Sequence, residues 1–121
     1  MNNKKTLVIG ASTNPERYSY KAINSLREHG HDVVALGIKP GEVSGINFET
    51  EKKAFQEIDT VTMYVSSKIQ PEYYDYIIET IQPKRVIFNP GTENNEFEQK
   101  LVAAGIEPTI ACTLVLLSIK V

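Results

Sequence analysis

The sequence predicts an α/β domain, a doubly wound parallel sheet of about five strands with helices on both faces, three layers in all. Three observations predict it. Leu7, Val8 and Ile9 form an apolar run without alternation, as a strand buried on both faces requires. Comparable short runs recur at His31–Ile38, Thr60–Val65, Arg85–Asn89 and Glu107–Ala111. Between most of them the apolar residues repeat at helical spacing, the alternation that builds βαβ units with right-handed crossovers. The strand order expected is 3-2-1-4-5, the flanking positions being the least constrained.

Each element has its own signals. After Ile9 comes a loop of small and turn-forming residues, Gly10-Ala11-Ser12-Thr13-Asn14-Pro15. The first helix is predicted from about Tyr18 to Glu28, with Ser19, Ala22, Ile23 and Leu26 on its buried face. It stops at Gly30, a residue suited to the left-handed position after a helix. Lys39-Pro40-Gly41 closes the second strand, and a short extended piece is expected around Ile46-Asn47-Phe48. Glu51–Glu57 reads as a short charged helix turning Ala54 and Phe55 inward. Pro71 opens the next helix, where its missing N–H costs nothing. On that helix Tyr73, Ile77 and Ile81 form an inward stripe flanked by Tyr74 and Ile78, which leaves Tyr76 exposed. An exposed Tyr76 would suit a dimer surface, although partial burial is the commoner state of tyrosine. Asn94 or Asn95 caps a helix through Ala104 that buries Phe97, Leu101 and Val102 and ends at Gly105. Glu93, Glu96 and Glu98 favour the start of that helix through its dipole. The chain closes with a short helix or an extended tail over Cys112–Val121.

Composition excludes several classes of function. At 121 residues, 41% hydrophobic, 23% charged and a formal net charge of −2, one domain spanning 1–121 is expected. There is no basic excess for nucleic acid. The apolar run after Lys5 is too short for a signal-peptide core, and Thr109–Val121 is too short to span a bilayer. The single cysteine, Cys112, allows no internal disulfide and fits a reducing, cytoplasmic setting. No His, Cys or Asp spacing suggests a metal site.

The first strand, the small-residue loop and the helix after it form the layout that presents backbone N–H groups and a helix N-terminus to a phosphate. A bulky side chain at Gly10 or Ala11 would hold the phosphate away from the backbone. The loop lacks G-x-G-x-x-G, and the second strand ends in Gly37, Ile38 and Lys39 rather than in an acid for ribose hydroxyls. Unmodified NAD is therefore disfavoured, and a lysine there suits a phosphorylated ribose. No G-x-x-x-x-G-K-[ST] motif is present for ATP or GTP hydrolysis. Coenzyme A remains, with NADP as the weaker candidate.

The run GAS-x-NPER-x-S after the first strand resembles the small CoA-binding domain proteins, Rossmann-like relatives of the nucleotide-binding domain of the succinyl-CoA synthetase α subunit. HG-H-x-V before the second strand, the Lys-Pro turn after it, Gly45, N-P-G at 89–91 and the late Cys112 extend the resemblance over nearly the whole chain. It implies that Gly10, Ala11, Ser12, Asn14, Arg17, Tyr18 and Ser19 cradle the CoA pyrophosphate. It places Lys39 and Pro40 near the ribose and its 3′-phosphate, and Val65, Ser66, Pro90 and Gly91 along the adenine or pantetheine side. This chain departs from the commoner family pattern at Ile38-Lys39, at Asn89-Pro90 and at Ala111.

No catalytic set is expected. His29 and His31 flank Gly30 between the first helix and the second strand, at the end of the sheet away from the phosphate loop. Cys112 follows the last strand and so faces the ligand end, as a small buried hydrophobe or as a thiol beside that of CoA. The expected function is a stand-alone module that binds CoA or acyl-CoA without catalysis. The alternative is an NADP-dependent reductase fragment or one subunit of a split acyl-CoA synthetase. The protein partners left open are a second copy or an enzyme subunit.

Overall fold

The computed structural model describes residues 3–119. Seven strands form its sheet: β1 (Thr6–Ile9), β2 (Val33–Leu36), β3 (Glu42–Val43), β4 (Ile46–Glu49), β5 (Thr60–Met63), β6 (Arg85–Phe88) and β7 (Glu107–Ile110). Their order is β3-β4-β2-β1-β5-β6-β7. All neighbours are parallel except β3 and β4, which pair antiparallel. The doubly wound arrangement is as the sequence predicts, but there are more strands than the five expected. Those five lie in the order 2-1-3-4-5 rather than 3-2-1-4-5, because the piece around Ile46 takes the place beside β2. The piece around Ile46 is a true parallel strand on β2, and β3 folds back on it as a hairpin. Ser44 and Gly45 join the two with φ of +53° and +82°, the pair of positive angles that a two-residue hairpin demands.

Helix α1 (Tyr18–Glu28) and helix α3 (Thr113–Ser118) cover one face of the sheet. Ser19, Ala22, Ile23 and Leu26 of α1 are buried as expected. Ile23 and Leu26 join Val8, Val33, Ala35, Phe48 and Leu117 in one apolar cluster. The other face packs Leu7, Ile9, Val61, Met63, Val86 and Phe88 against helix α2 (Asn95–Ala103) and the segment 70–81. Strands β1 and β5 are fully buried, so their side chains alternate between two cores and never meet water. The Asn94 side chain caps α2 by accepting from the Phe97 N–H at 3.1 Å. Phe97 then stacks on Tyr74, with ring centroids 4.3 Å apart, and meets Phe88 edge-on at 5.8 Å.

Three expectations are corrected. Residues 51–57 are not helical. The Lys53 carbonyl accepts from both the Phe55 N–H and the Tyr76 hydroxyl, at 2.9 and 2.5 Å, a local turn that a helix does not allow. Ala54 is accordingly exposed. The helix expected after Pro71 is instead a 3₁₀ turn, Gln70–Tyr73, followed by a π-helical stretch, Tyr76–Ile81. Hydrogen bonds from i+5 to i, such as Gln82 N–H to the Ile77 carbonyl at 2.9 Å, bring residues five apart onto one side. Tyr76, Ile77 and Ile81 therefore point inward, and Tyr76 is buried rather than exposed. Val102 is the third, 63% exposed on the outer side of α2.

Candidate functional site

At the carboxyl ends of β1, β2 and β5 the connecting loops part to form an open cleft of about 880 Å³. Gly10 sets its floor. Its φ is +95°, and a Cβ added there would lie 2.9 Å from the Tyr64 carbonyl carbon and 3.0 Å from its oxygen. The chain must therefore carry glycine where β1 turns past the end of β5.

The loop that follows divides its backbone donors between two tasks. The N–H groups of Gly10 and Ala11 both donate to the Leu36 carbonyl, at 3.0 and 3.1 Å, and so fasten the turn to β2. They brace the loop, contrary to the simple picture of glycine amides aimed at a phosphate. Ser12 Oγ accepts from Asn14 N–H and Asn14 Oδ1 from Glu16 N–H, each at 3.0 Å, which shapes the approach to α1. Among the described residues, the N–H groups of Ser12, Thr13, Tyr18, Ser19 and Tyr20 have no acceptor within the protein. Helix α1 begins after Arg17 without a side-chain cap and without an acidic residue in its first turn. Its positive end is open toward the cleft.

The charge around this end is also unpaired. The single ion pair among the described residues joins Lys84 and Asp59 at 3.8 Å, so Arg17 and Lys39 stand exposed on the cleft wall without a carboxylate. Glu16 lines the same cleft. Three large apolar side chains stand on its rim as well: Tyr18, Ile69 and above all Ile38, which is 86% exposed.

The family model for the CoA binding domain matches residues 4–118. The chain belongs to the CoA binding domain family. A crystal structure of an uncharacterized protein shares 47% identity with this CoA binding domain, at a TM-score of 0.95 over 98% of both chains. A hypothetical protein from Pyrococcus horikoshii OT3 shares 31% identity, at a TM-score of 0.82 over 94% of this chain and 81% of that one. The dinucleotide forming acetyl-coenzyme A synthetase 1 of Ca. Korarchaeum cryptofilum, solved with phosphate and ADP, shares 18%. Its TM-score is 0.71 over 88% of this chain but only 25% of that one, a likeness of fold. No match is found among curated proteins.

In this CoA binding domain Gly10, Ala11, Ser12, Asn14, Arg17, Tyr18, Ser19, Lys39, Pro40, Val65, Ser66, Pro90 and Gly91 all line the one cleft. Cys112 does not. It sits half-buried at the residue before α3, outside the cleft lining. His31 lies at the opposite end of the sheet, where its Nδ1 accepts from the Lys4 N–H at 2.9 Å. Burial, followed by repulsion from His29, lowers its pKa. Among the described residues no helix is long and apolar enough to cross a membrane, and no three His, Cys, Asp or Glu side chains converge as metal ligands.

Sequence reasoning passed over the polar residues beneath the cleft. Asn89 is buried, donating through Nδ2 to Thr62 Oγ1 at 2.7 Å and to the Met63 carbonyl at 2.9 Å. Its Oδ1 accepts from the Thr113 N–H at 2.9 Å, which pins the start of α3 to the sheet. A polar residue closing the apolar run RVIFN was the available signal. Tyr64 lines the cleft with its hydroxyl buried and unpartnered. Burial pushes its pKa up to about 12; Thr113 and Thr62 are close enough to oppose this, yet neither meets hydrogen-bond geometry with it.

That orphan hydroxyl gives a testable consequence. Tyr64→Phe removes an unsatisfied buried group and is expected to stabilise the protein by about 1 kcal/mol, a rise of roughly 4 °C in Tm. The alkaline limb should change too. A phenol raised from 10 to about 12 on folding favours the neutral native form, so its contribution is complete below pH 10 and is lost as pH rises toward 12. Tyr76, also raised to about 12 by burial, remains in the variant. Denaturant midpoints between pH 9 and 12 should therefore fall less steeply in Tyr64→Phe than in the natural protein.

Proposed function

We propose that this chain is a binding module for CoA or a short acyl-CoA and carries no reaction of its own. The observation that supports this most directly is the set of four unpartnered N–H groups at Ser12, Thr13, Tyr18 and Ser19, on residues that line the same cleft as Arg17 and Lys39. A pyrophosphate accepts from such donors, and the open end of α1 favours its charge. At about 880 Å³ the cleft falls within the roughly 300–1,000 Å³ common for small-molecule sites. Lys39, next to exposed Ile38, is assigned to the 3′-phosphate, with Ile38 and Tyr18 offering apolar surface to the adenine. Val65, Ser66, Pro90 and Gly91 are assigned to the opposite wall, along the pantetheine.

Calorimetric titration with CoA, dephospho-CoA, NADP and NAD at fixed salt tests the assignment. CoA should bind tightest. Lys39→Ala should weaken CoA by about tenfold, the loss of one charge-assisted contact, and leave dephospho-CoA nearly unchanged. Equal losses for both ligands would remove Lys39 from the phosphate. Preference for NADP would move the reading toward a reductase domain, and silence with all four ligands would overturn it.

A further inference from the structure

Gln70 is fully buried, and no ligand-facing role explains it. A buried carboxamide costs free energy unless each of its polar groups is paired. Here they are. Nε2 donates one proton to the Val65 carbonyl at 3.0 Å and the other to the Thr92 carbonyl at 2.7 Å. Oε1 accepts from Asn94 Nδ2 at 2.9 Å. The second Asn94 amide proton goes to the Tyr74 hydroxyl oxygen at 2.8 Å, while Asn94 Oδ1 caps α2. With both protons of both amides committed, neither side chain can flip without setting oxygen against oxygen.

Val65 and Thr92 lie on different loops, and both line the cleft. Their carbonyls point toward one buried place and would repel each other without a shared donor. The loop after β5 is itself tightly wound there, the Ser66 carbonyl accepting from both Ile69 and Gln70 N–H groups. The loop after β6 is tied at its root, where the Asn89 carbonyl accepts from the Thr92 N–H and hydroxyl. Gln70 is what joins the two loops.

We infer that Gln70, held by Asn94, is a positioning residue that locks these two loops into a single wall of the cleft. The inference rests on the CoA-binding reading for its effect on affinity, since the wall it fixes carries Val65, Ser66, Pro90 and Gly91. It touches neither Arg17 nor Lys39, so its removal should lower affinity without changing which phosphates are recognised.

Gln70→Glu keeps shape and volume while removing both N–H donors, and leaves a carboxyl group that can offer at most one proton to two carbonyls. Asn94→Ser retains an N-cap for α2 but frees the Gln70 carboxamide. CoA affinity is expected to fall at least about tenfold in Gln70→Glu and about threefold in Asn94→Ser. The ratio of CoA to dephospho-CoA affinity should stay at its natural value in both, unlike in Lys39→Ala. Amide hydrogen exchange of residues 65–69 and 91–93 in the unliganded variants should quicken while that of β1 does not. This readout needs no ligand, so failure of the natural protein to bind CoA would overturn the functional reading and leave the latch to be judged by exchange. Unchanged exchange in a folded Gln70→Glu, or in Asn94→Ser if the first variant does not fold, overturns the latch. So does CoA affinity equal to that of the natural protein, or a loss confined to CoA over dephospho-CoA.

Discussion

Gly10→Ala should destabilise the protein by about 3 kcal/mol or more, lowering Tm by roughly 10 °C, and should abolish CoA binding in the protein that remains folded. Two penalties act together. The backbone at Gly10 has φ of +95°, a region that an alanine occupies only under strain. The added methyl would also stand 2.9 Å from the Tyr64 backbone, which belongs to the chain leaving β5 and has no room to retreat. Tyr64 N–H donates to the Ile9 carbonyl at 2.9 Å, so displacing one of these neighbours displaces the other. The donors of Ser12 and Thr13 follow directly from this turn, which is why affinity should fall further than stability alone accounts for. Thermal melting with CoA titration checks both. A variant with the natural Tm would show that the turn relaxes without cost.

Asn89→Leu should cost about 3 kcal/mol. Leucine fills much the same space, but the Thr113 N–H loses its partner while remaining buried, and the Met63 carbonyl and Thr62 hydroxyl lose a donor. Thr62 keeps its bond to Thr113 Oγ1 at 2.7 Å, which limits the damage to the sheet itself. The helix that loosens is α3, and with it the packing of Leu117 on α1. Denaturant unfolding measures the cost; a loss under 1 kcal/mol would mean that α3 docks by its apolar contacts alone.

Much of the architecture was legible because local and global signals agree. Leu7-Val8-Ile9 and the stripe Ser19, Ala22, Ile23 and Leu26 each specify one outcome and are placed as read, while the turn at Gly10 forms where expected but turns its first two N–H groups to the Leu36 carbonyl. The segment 70–81 was misread because its pattern fits two windings. Tyr73, Ile77 and Ile81 suit an α-helix, while Tyr76, Ile77 and Ile81 suit the π-winding that forms. The winding that forms brings the Tyr76 hydroxyl to the distant Lys53 carbonyl. Residues 51–57 instead make a local turn in which the Lys53 carbonyl accepts from the Phe55 N–H and the Tyr76 hydroxyl, partners that no local pattern announces. The residues expected at the cleft were legible from turn chemistry and family resemblance. Gln70, Asn89 and Tyr64 were not, because a buried polar residue shows its purpose only once its partners from other elements are in place.

The two borders of the sheet carry a consequence for crowded solution. A long open border of unpaired donors and acceptors is a template on which foreign strands grow. Here one border is β3, two residues long. The other is β7, where Glu107 donates inward to the Lys84 carbonyl, so the next residue would present its N–H outward. That next residue is Pro108, which has none to present. Both borders therefore offer few donors to a foreign strand: β3 is too short to pair at length, and Pro108 interrupts the outward row of β7.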